Sequence, residues 1–189
     1  MAIEIKNLCK NFGNSAVFID YSICIPDGVC ALMAGSGIGK TTLLRILAGL
    51  DRSYTGSIEG VGSISYCPQN VALFPWYSAK KNLKIVLKDT PDADRLIDEG
   101  LDAFGLSDSA DKKPAEMSGG MCQRVAILRA WLYPSDTVIL DEPFKGLDDA
   151  TKRRVIDYLK KTRRSGRNVI FSTHSSDEAE TFADHIIKF

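Results

Sequence analysis

The stretch Ala34-Gly35-Ser36-Gly37-Ile38-Gly39-Lys40-Thr41-Thr42 follows a short apolar run, Val29 to Met33, and opens an amphipathic segment. Glycines let a backbone wrap closely around an anion, and successive N–H groups at a helix start add partial positive charge. A lysine and two hydroxyls at the end of such a loop suit a phosphate chain and a hard cation, with Lys40 reaching the β- and γ-phosphates and Thr41 ligating Mg²⁺. The expected contacts are Gly35, Ser36, Gly37, Ile38, Gly39, Lys40, Thr41 and Thr42. Thr137 to Leu140 is a second apolar run, and it ends in Asp141-Glu142-Pro143. Asp141 suits a magnesium ion or its bound water, and Glu142 suits a base that polarises an attacking water. A third run, Phe171-Ser172-Thr173, ends in His174. A histidine closing a strand beside the acidic one would face the terminal phosphate and hold the attacking geometry.

These groups need a scaffold that delivers strand ends to one edge. Ala2 to Leu8 and Phe18 to Ile25 alternate apolar and polar residues as half-buried strands do, with Asn11, Gly13 and Asn14 as turn residues between them. Val29 to Met33 reads as a fully buried strand, and strand signals return at Val138 to Leu140 and Val169 to Ser172. Ser57 to Glu59, Ile64 to Cys67 and Ile186 to Phe189 are shorter candidates. Helices are expected over Thr41 to Leu50, Asp149 to Ser165 and Asp177 to Phe182. Leu96, Ile97, Leu101 and Phe104 recur at helical spacing, as do Met121, Val125, Leu128 and Leu132. Strands alternating with helices imply an α/β fold with a mostly parallel sheet covered on both faces. The expected organisation is one domain, with core and N-terminal β segment over about 1–77 and 135–189 and an inserted helical part over about 78–134.

Composition narrows the class. The 189 residues contain 24 Lys and Arg and 24 Asp and Glu, so net charge predicts no acidic partner. No apolar run approaches the roughly 18–20 residues needed to cross a bilayer. Residues 1–10 alternate and lack the apolar centre of a secretory signal. A cytosolic location is expected unless a partner holds the chain at a membrane. The five cysteines form no CxxC pair, and only two histidines accompany them, so reduced, buried thiols are expected rather than disulfides or zinc.

Met117-Ser118-Gly119-Gly120-Met121-Cys122-Gln123-Arg124 adds a serine and two glycines at a second helix start, preceded by Pro114. With the P-loop before it and the acidic strand after it, this segment resembles the LSGGQ-type signature of ATP-binding-cassette proteins. The resemblance spans essentially the whole chain. It implies a P-loop NTPase core, an antiparallel N-terminal β subdomain and an inserted helical subdomain. It also implies ATP hydrolysis with Mg²⁺ in a head-to-tail dimer, where Ser118, Gly119, Gly120 and Met121 complete the ATP site of the opposite subunit. Phe12 stands where the family stacks an aromatic on adenine. Gln69 matches the Q-loop glutamine that touches Mg²⁺, and Asp148, in Lys145-Gly146-Leu147-Asp148, matches the residue that communicates across the dimer. Glu142 and His174 match the catalytic base and switch histidine, and Thr41, Gln69 and Asp141 the metal ligands. The sequence departs from the pattern at Ala34, Ile38, Met117, Met121 and Cys122, none of which removes a catalytic group. It ends soon after its last strand, implying a short form without a C-terminal regulatory domain.

Leu73-Phe74-Pro75-Trp76-Tyr77-Ser78, with Asn82, resembles the LxPWxSxxxN stretch of importer subunits such as those of nitrate, sulfonate and taurine systems. Phe74 and Trp76 either receive a transmembrane permease subunit or pack between the two subdomains. The resemblance implies a second cassette subunit, identical or not, and attachment to the cytoplasmic face of a membrane. Lys152, Arg153, Arg154, Lys160, Lys161, Arg163, Arg164 and Arg167 crowd one helix and its exit. Val155, Ile156 and Leu159 leave an apolar face for docking, so a solvated basic face is expected rather than nucleic-acid binding. The alternatives are a soluble cassette ATPase acting on nucleic acid or ribosomes, and an ATP-dependent dimerisation module that barely hydrolyses.

Overall fold

The computed structural model describes residues 2–33, 35, 37–88 and 90–188. The chain divides into two compact units, Met1–Tyr66 with Ser135–Glu142 and Arg164–Phe189, and Cys67–Pro134 with Pro143–Arg163.

The first unit opens with an antiparallel hairpin. Strands β1 (Ile3–Phe12) and β2 (Ser15–Ile25) pair from Ile3 opposite Ile25 to Phe12 opposite Ser15. Asn11 therefore lies in the ladder rather than in the expected turn. A two-residue turn at Gly13 and Asn14 reverses the chain, and the left-handed Gly13 (φ 56°) lets it do so without more residues. Next come β3 (Val29–Met33), α1 (Lys40–Leu47), β4 (Thr55–Glu59) and β5 (Ile64–Cys67). Strand β4 joins the other side of β1. Helix α1 stops three residues short of the expected Leu50. Gly49 takes a left-handed φ of 69°, and the N–H groups of Ala48, Gly49 and Leu50 turn back onto the carbonyls of Leu44, Ile46 and Arg45.

Strands β6 (Thr137–Asp141), β7 (Asn168–Thr173) and β8 (His185–Lys188) complete a five-stranded sheet in the order β5-β6-β7-β3-β8. β6 pairs with β7, β7 with β3 and β3 with β8, each in parallel. Every residue of β6 and β7 is buried, which explains why their sequences run apolar without alternation. Leu43, Leu44, Ile46 and Leu47 of α1 pack with Cys30, Leu32, Ile139 and Ile170 of the sheet and with Ile3, Ile5 and Leu8 of β1.

The second unit is helical: α2 (Ala79–Lys84), α3 (Ala93–Ala103), α4 (Gly119–Leu132) and α5 (Asp149–Thr162). It takes in α5 as well as the segment expected near 78–134. Tyr158 of α5 meets the Phe104 ring edge-on at 5.7 Å, Arg154 donates to the Asp102 carbonyl at 2.7 Å, and the Trp131 indole donates to Thr162 at 2.9 Å. Gly100 permits this closeness, since a Cβ there would come within 2.7 Å of Leu128 and 3.2 Å of the Tyr158 hydroxyl. The last helix, α6 (Ser176–Phe182), belongs to the first unit. Among the described residues no helix is long and apolar enough to cross a membrane.

Candidate active site

Parallel pairing brings three strand ends to one edge of the sheet. Met33 lies opposite Thr173, and Asp141 opposite Ser172, so the glycine-rich loop, the acidic pair and His174 leave neighbouring strands side by side. Ser36 and Ala34 lie outside the described residues. Gly37 and Gly39 have left-handed φ values of 83° and 103°, and a Cβ on Gly39 would strike Val17 at 2.7 Å and Phe18 at 3.0 Å. Glycine is thus required at position 39 by both conformation and space. Ile38, the bulky departure in the loop, is 46% exposed. The apolar face of α1 is buried, while Thr41 is exposed and Thr42 half-buried at its first turn, leaving hydroxyls and helix N–H groups accessible.

Lys40 is buried, and its ammonium donates to the Gly35 carbonyl at 3.1 Å and lies 3.4 Å from His174 Nε2. Burial lowers its pKa, while the charges of Glu142 and Asp141 act to raise it. A cation held in this way is already stripped of much of its water, which strengthens its attraction for a phosphate.

His174 Nε2 is also 2.7 Å from Glu142 Oε1. A carboxylate only accepts hydrogen bonds, so Nε2 carries the proton and donates it to Glu142, and Lys40 stands by as a nearby charge. Glu142 itself has φ 47°, a conformation that costs a residue with a Cβ about 1–3 kcal/mol. Ser172 supports it: its hydroxyl accepts from the Glu142 N–H at 2.9 Å and donates to Asp141 Oδ1 at 2.6 Å. One buried hydroxyl therefore fixes the Asp141 carboxylate and the Glu142 backbone. Ser172 was not among the residues expected to act. Its register opposite Asp141 is the signal that singles it out.

The second oxygen, Asp141 Oδ2, is buried with no hydrogen-bond partner among the described residues. An orphaned carboxylate oxygen is what a cation, or a water on it, would satisfy. No group of three or more His, Cys, Asp and Glu among the described residues is placed to hold a metal. Carboxylate and hydroxyl oxygens are the donor types that magnesium takes, so Asp141 and the exposed Thr41 fit that ion.

Phe12 closes β1 and is 55% exposed, with the Lys10 ammonium 4.6 Å from its ring centroid. The remaining expected residues belong to the second unit. Ser118 caps α4, accepting from the Met121 N–H at 3.2 Å; Ser118, Gly119 and Gly120 are exposed and Met121 half-buried. A Cβ on Gly119 or Gly120 would meet nothing within 4 Å, so these glycines leave open space at a helix start. Gln69 is exposed. Asp148 caps α5 by accepting from the Thr151 N–H at 2.9 Å, and these bonds hold its carboxyl below the usual range. Phe74 and Trp76 are 41% and 66% exposed. Asn82, fully buried, orders the strip bearing them: its amide donates to the carbonyls of Phe74, Tyr77 and Ser78, and its oxygen accepts from the Phe74 N–H.

Residues 20–145 match the sequence profile of the ABC transporter family. The chain is 38% identical over 190 residues to the aliphatic sulfonates import ATP-binding protein SsuB 1 of Paracoccus denitrificans (strain Pd 1222), covering 98% of this chain and 78% of that protein. It is 34% identical over 208 residues to the sulfate/thiosulfate import ATP-binding protein CysA of Escherichia coli (strain K12), covering 99% of this chain and 57% of that one. Its fold matches the dimeric post-hydrolysis structure of the ATP-binding cassette MJ0796 bound to ADP and Pi, with a TM-score of 0.86, 26% identity and coverage of 99% of this chain and 94% of that chain. With a loop for phosphate, an acidic strand end and these relatives, the chain belongs to the ABC transporter family, as one of its ATP-binding, ATP-hydrolysing subunits.

Proposed function

We propose that this subunit hydrolyses ATP as part of a head-to-tail dimer and thereby powers import through transmembrane permease subunits at the cytoplasmic face of a membrane. The carrying observation is the meeting of Lys40, Asp141, Glu142 and His174 at the ends of adjacent parallel strands.

In this reading Lys40 leaves the Gly35 carbonyl for the β- and γ-phosphates. Thr41 and Asp141 would hold Mg²⁺, and the family resemblance implies Gln69 as a further ligand. When bound, that ion would supply charge neutralisation on the phosphate oxygens. Glu142 takes a proton from a water whose oxygen attacks the γ-phosphorus. The bond from that phosphorus to the β–γ bridging oxygen breaks, releasing ADP and phosphate. His174, already bonded to Glu142, fixes the direction of that carboxylate. Ser118, Gly119 and Gly120 of one subunit face the γ-phosphate of the other, a role that suits an exposed helix start with open space above its glycines. Asp148 borders the same interface, and Phe12 stacks on the adenine. The dimeric state of the similar cassette MJ0796 supports this arrangement.

Ser172→Ala tests the geometry. It leaves the Glu142 N–H and Asp141 Oδ1 without their shared partner, a loss of about 1–3 kcal/mol. Turnover is expected to fall roughly 5- to 150-fold while ATP affinity stays near native. Steady-state phosphate release beside equilibrium nucleotide binding measures both. Unchanged turnover would show that the carboxylates need no such brace.

Import is favoured by the exposed Phe74 and Trp76 on their ordered strip and by relatives named as import proteins. Purification from native membranes in mild detergent is expected to bring down integral membrane subunits. Recovery of nucleic acid or ribosomes in their place would support the soluble alternative.

A further inference from the structure

Lys10 is a buried lysine on β1, and its ammonium has three partners. It donates to Asp51 Oδ1 at 2.7 Å and to the Ser53 carbonyl at 2.8 Å, and it sits over the Phe12 ring at 4.6 Å from the centroid. An ammonium has three N–H bonds, so this set accounts for all of them. Asp51 is itself fixed, since Oδ1 also accepts from the Ser53 N–H at 3.0 Å. Lys10 and the backbone N–H of Ser53 hold the Asp51 carboxyl below its usual range.

The arrangement ties two parts of the first unit together. Lys10 and Phe12 lie on β1, just before the hairpin turn, while Asp51 and Ser53 lie between α1 and β4. The side chain of Phe12 would otherwise project from a hairpin end with free rotation. Here a cation anchored from behind covers one face of the ring, and the residue remains 55% exposed.

We propose that Lys10 is a positioning residue for the nucleotide base, its anchored ammonium backing the Phe12 ring so that the opposite face is presented as a one-sided stacking platform. The inference deepens the assignment of Phe12 to the adenine and rests on it. Two physical consequences follow. The ring is oriented before the base arrives, so less side-chain freedom is lost on binding. The cation also draws ring electron density toward itself, leaving the free face better matched to an electron-rich purine. No partner in the set reads the edge of a base, so the contribution applies to ATP and GTP alike.

The discriminating quantity is the affinity for ATP relative to inorganic tripolyphosphate, which has the phosphates but no base. Both are measured by calorimetry on the intact chain with Mg²⁺ present. Lys10→Met is expected to weaken ATP and GTP roughly 3- to 30-fold and to leave tripolyphosphate unchanged. Lys10→Arg, which keeps a cation, should recover most of the loss. Phe12→Ala is expected to weaken ATP roughly 5- to 150-fold, again sparing tripolyphosphate, and Lys10→Met added to it should cause no further loss. Retained tripolyphosphate binding shows in the same experiment that each variant is folded. If Phe12→Ala lowers the ratio and Lys10→Met does not, Lys10 is only a structural tie and the inference is overturned, with the adenine assignment intact. If Phe12→Ala leaves the ratio unchanged, the adenine assignment fails and the inference fails with it. A further loss from Lys10→Met in the Phe12→Ala background would mean that the lysine acts on the nucleotide by another route, which also overturns it.

Discussion

Glu142→Gln is expected to bind ATP as the native chain does and to lose turnover by roughly 10²–10⁴-fold, the span typical of removing a general base. The substitution keeps size and a hydrogen-bonding oxygen but cannot take a proton from water. Its amide can still accept from His174 Nε2, so the 2.7 Å contact and the Glu142 backbone, held by Ser172, should survive. An effect confined to turnover is the mark of a group that acts in the transition state. With hydrolysis stopped, ATP persists, and the variant should shift from monomer to dimer on size-exclusion chromatography when ATP is added. ADP should not produce the shift. Ser118→Arg in the same chain should reverse it, because Ser118 opens a helix start beside the unencumbered Gly119 and Gly120. A long basic side chain there fills the space proposed for the partner's γ-phosphate. An ATP-induced dimer that tolerates Ser118→Arg would place the interface elsewhere. Undiminished phosphate release by Glu142→Gln would remove this residue from the chemistry.

Lys40→Ala should have the larger effect on binding itself. The ammonium is buried against Gly35 and His174 by the fold itself, so much of its dehydration is met by folding rather than by binding. Removing one partner of a buried charged contact costs about 3–5 kcal/mol, which corresponds to a loss of roughly 10²–10³-fold or more in ATP affinity. The same loss is expected for tripolyphosphate, since the contact is to phosphate and not to the base. That distinguishes it from the Lys10 and Phe12 variants, which should spare tripolyphosphate. Calorimetric titration with both ligands reads the difference. Near-native affinity for either would show that the loop holds its phosphates by backbone groups alone.

Much of this site is legible in one dimension because its chemistry is local. A run of glycines followed by Lys40 and Thr41, set between an apolar strand and an amphipathic helix, specifies a phosphate loop through contacts within a few residues. Strands β6 and β7 announce their burial by unbroken apolar character, and their last residues, Asp141 and Thr173, mark where side chains leave the sheet. The ends of helices are less legible. Helix α1 stops at Leu47 because Gly49 adopts a left-handed turn, while the apolar Leu50 beyond it looks like one more helical residue and is exposed.

Strand order is beyond the reach of local pattern, since buried parallel strands are interchangeable as apolar runs. Only the pairing of β6 with β7 sets Ser172 opposite Asp141, and only the backbone turn after Asp141 gives Glu142 its positive φ and brings its N–H to the same hydroxyl. Residue types by themselves indicated that Asp141, Glu142 and His174 can do chemistry; tertiary structure decided that Ser172 braces the Asp141 carboxylate and the Glu142 backbone and that His174 bonds Glu142. The same holds for Lys10, which in sequence is one polar residue of an alternating strand. Its partner Asp51 lies across α1, so the ion pair exists only once the hairpin has folded against the chain beyond that helix. Sequence determines the chemistry each segment carries because that depends on neighbours along the chain, whereas the angles and pairings that make it a site depend on neighbours across the sheet.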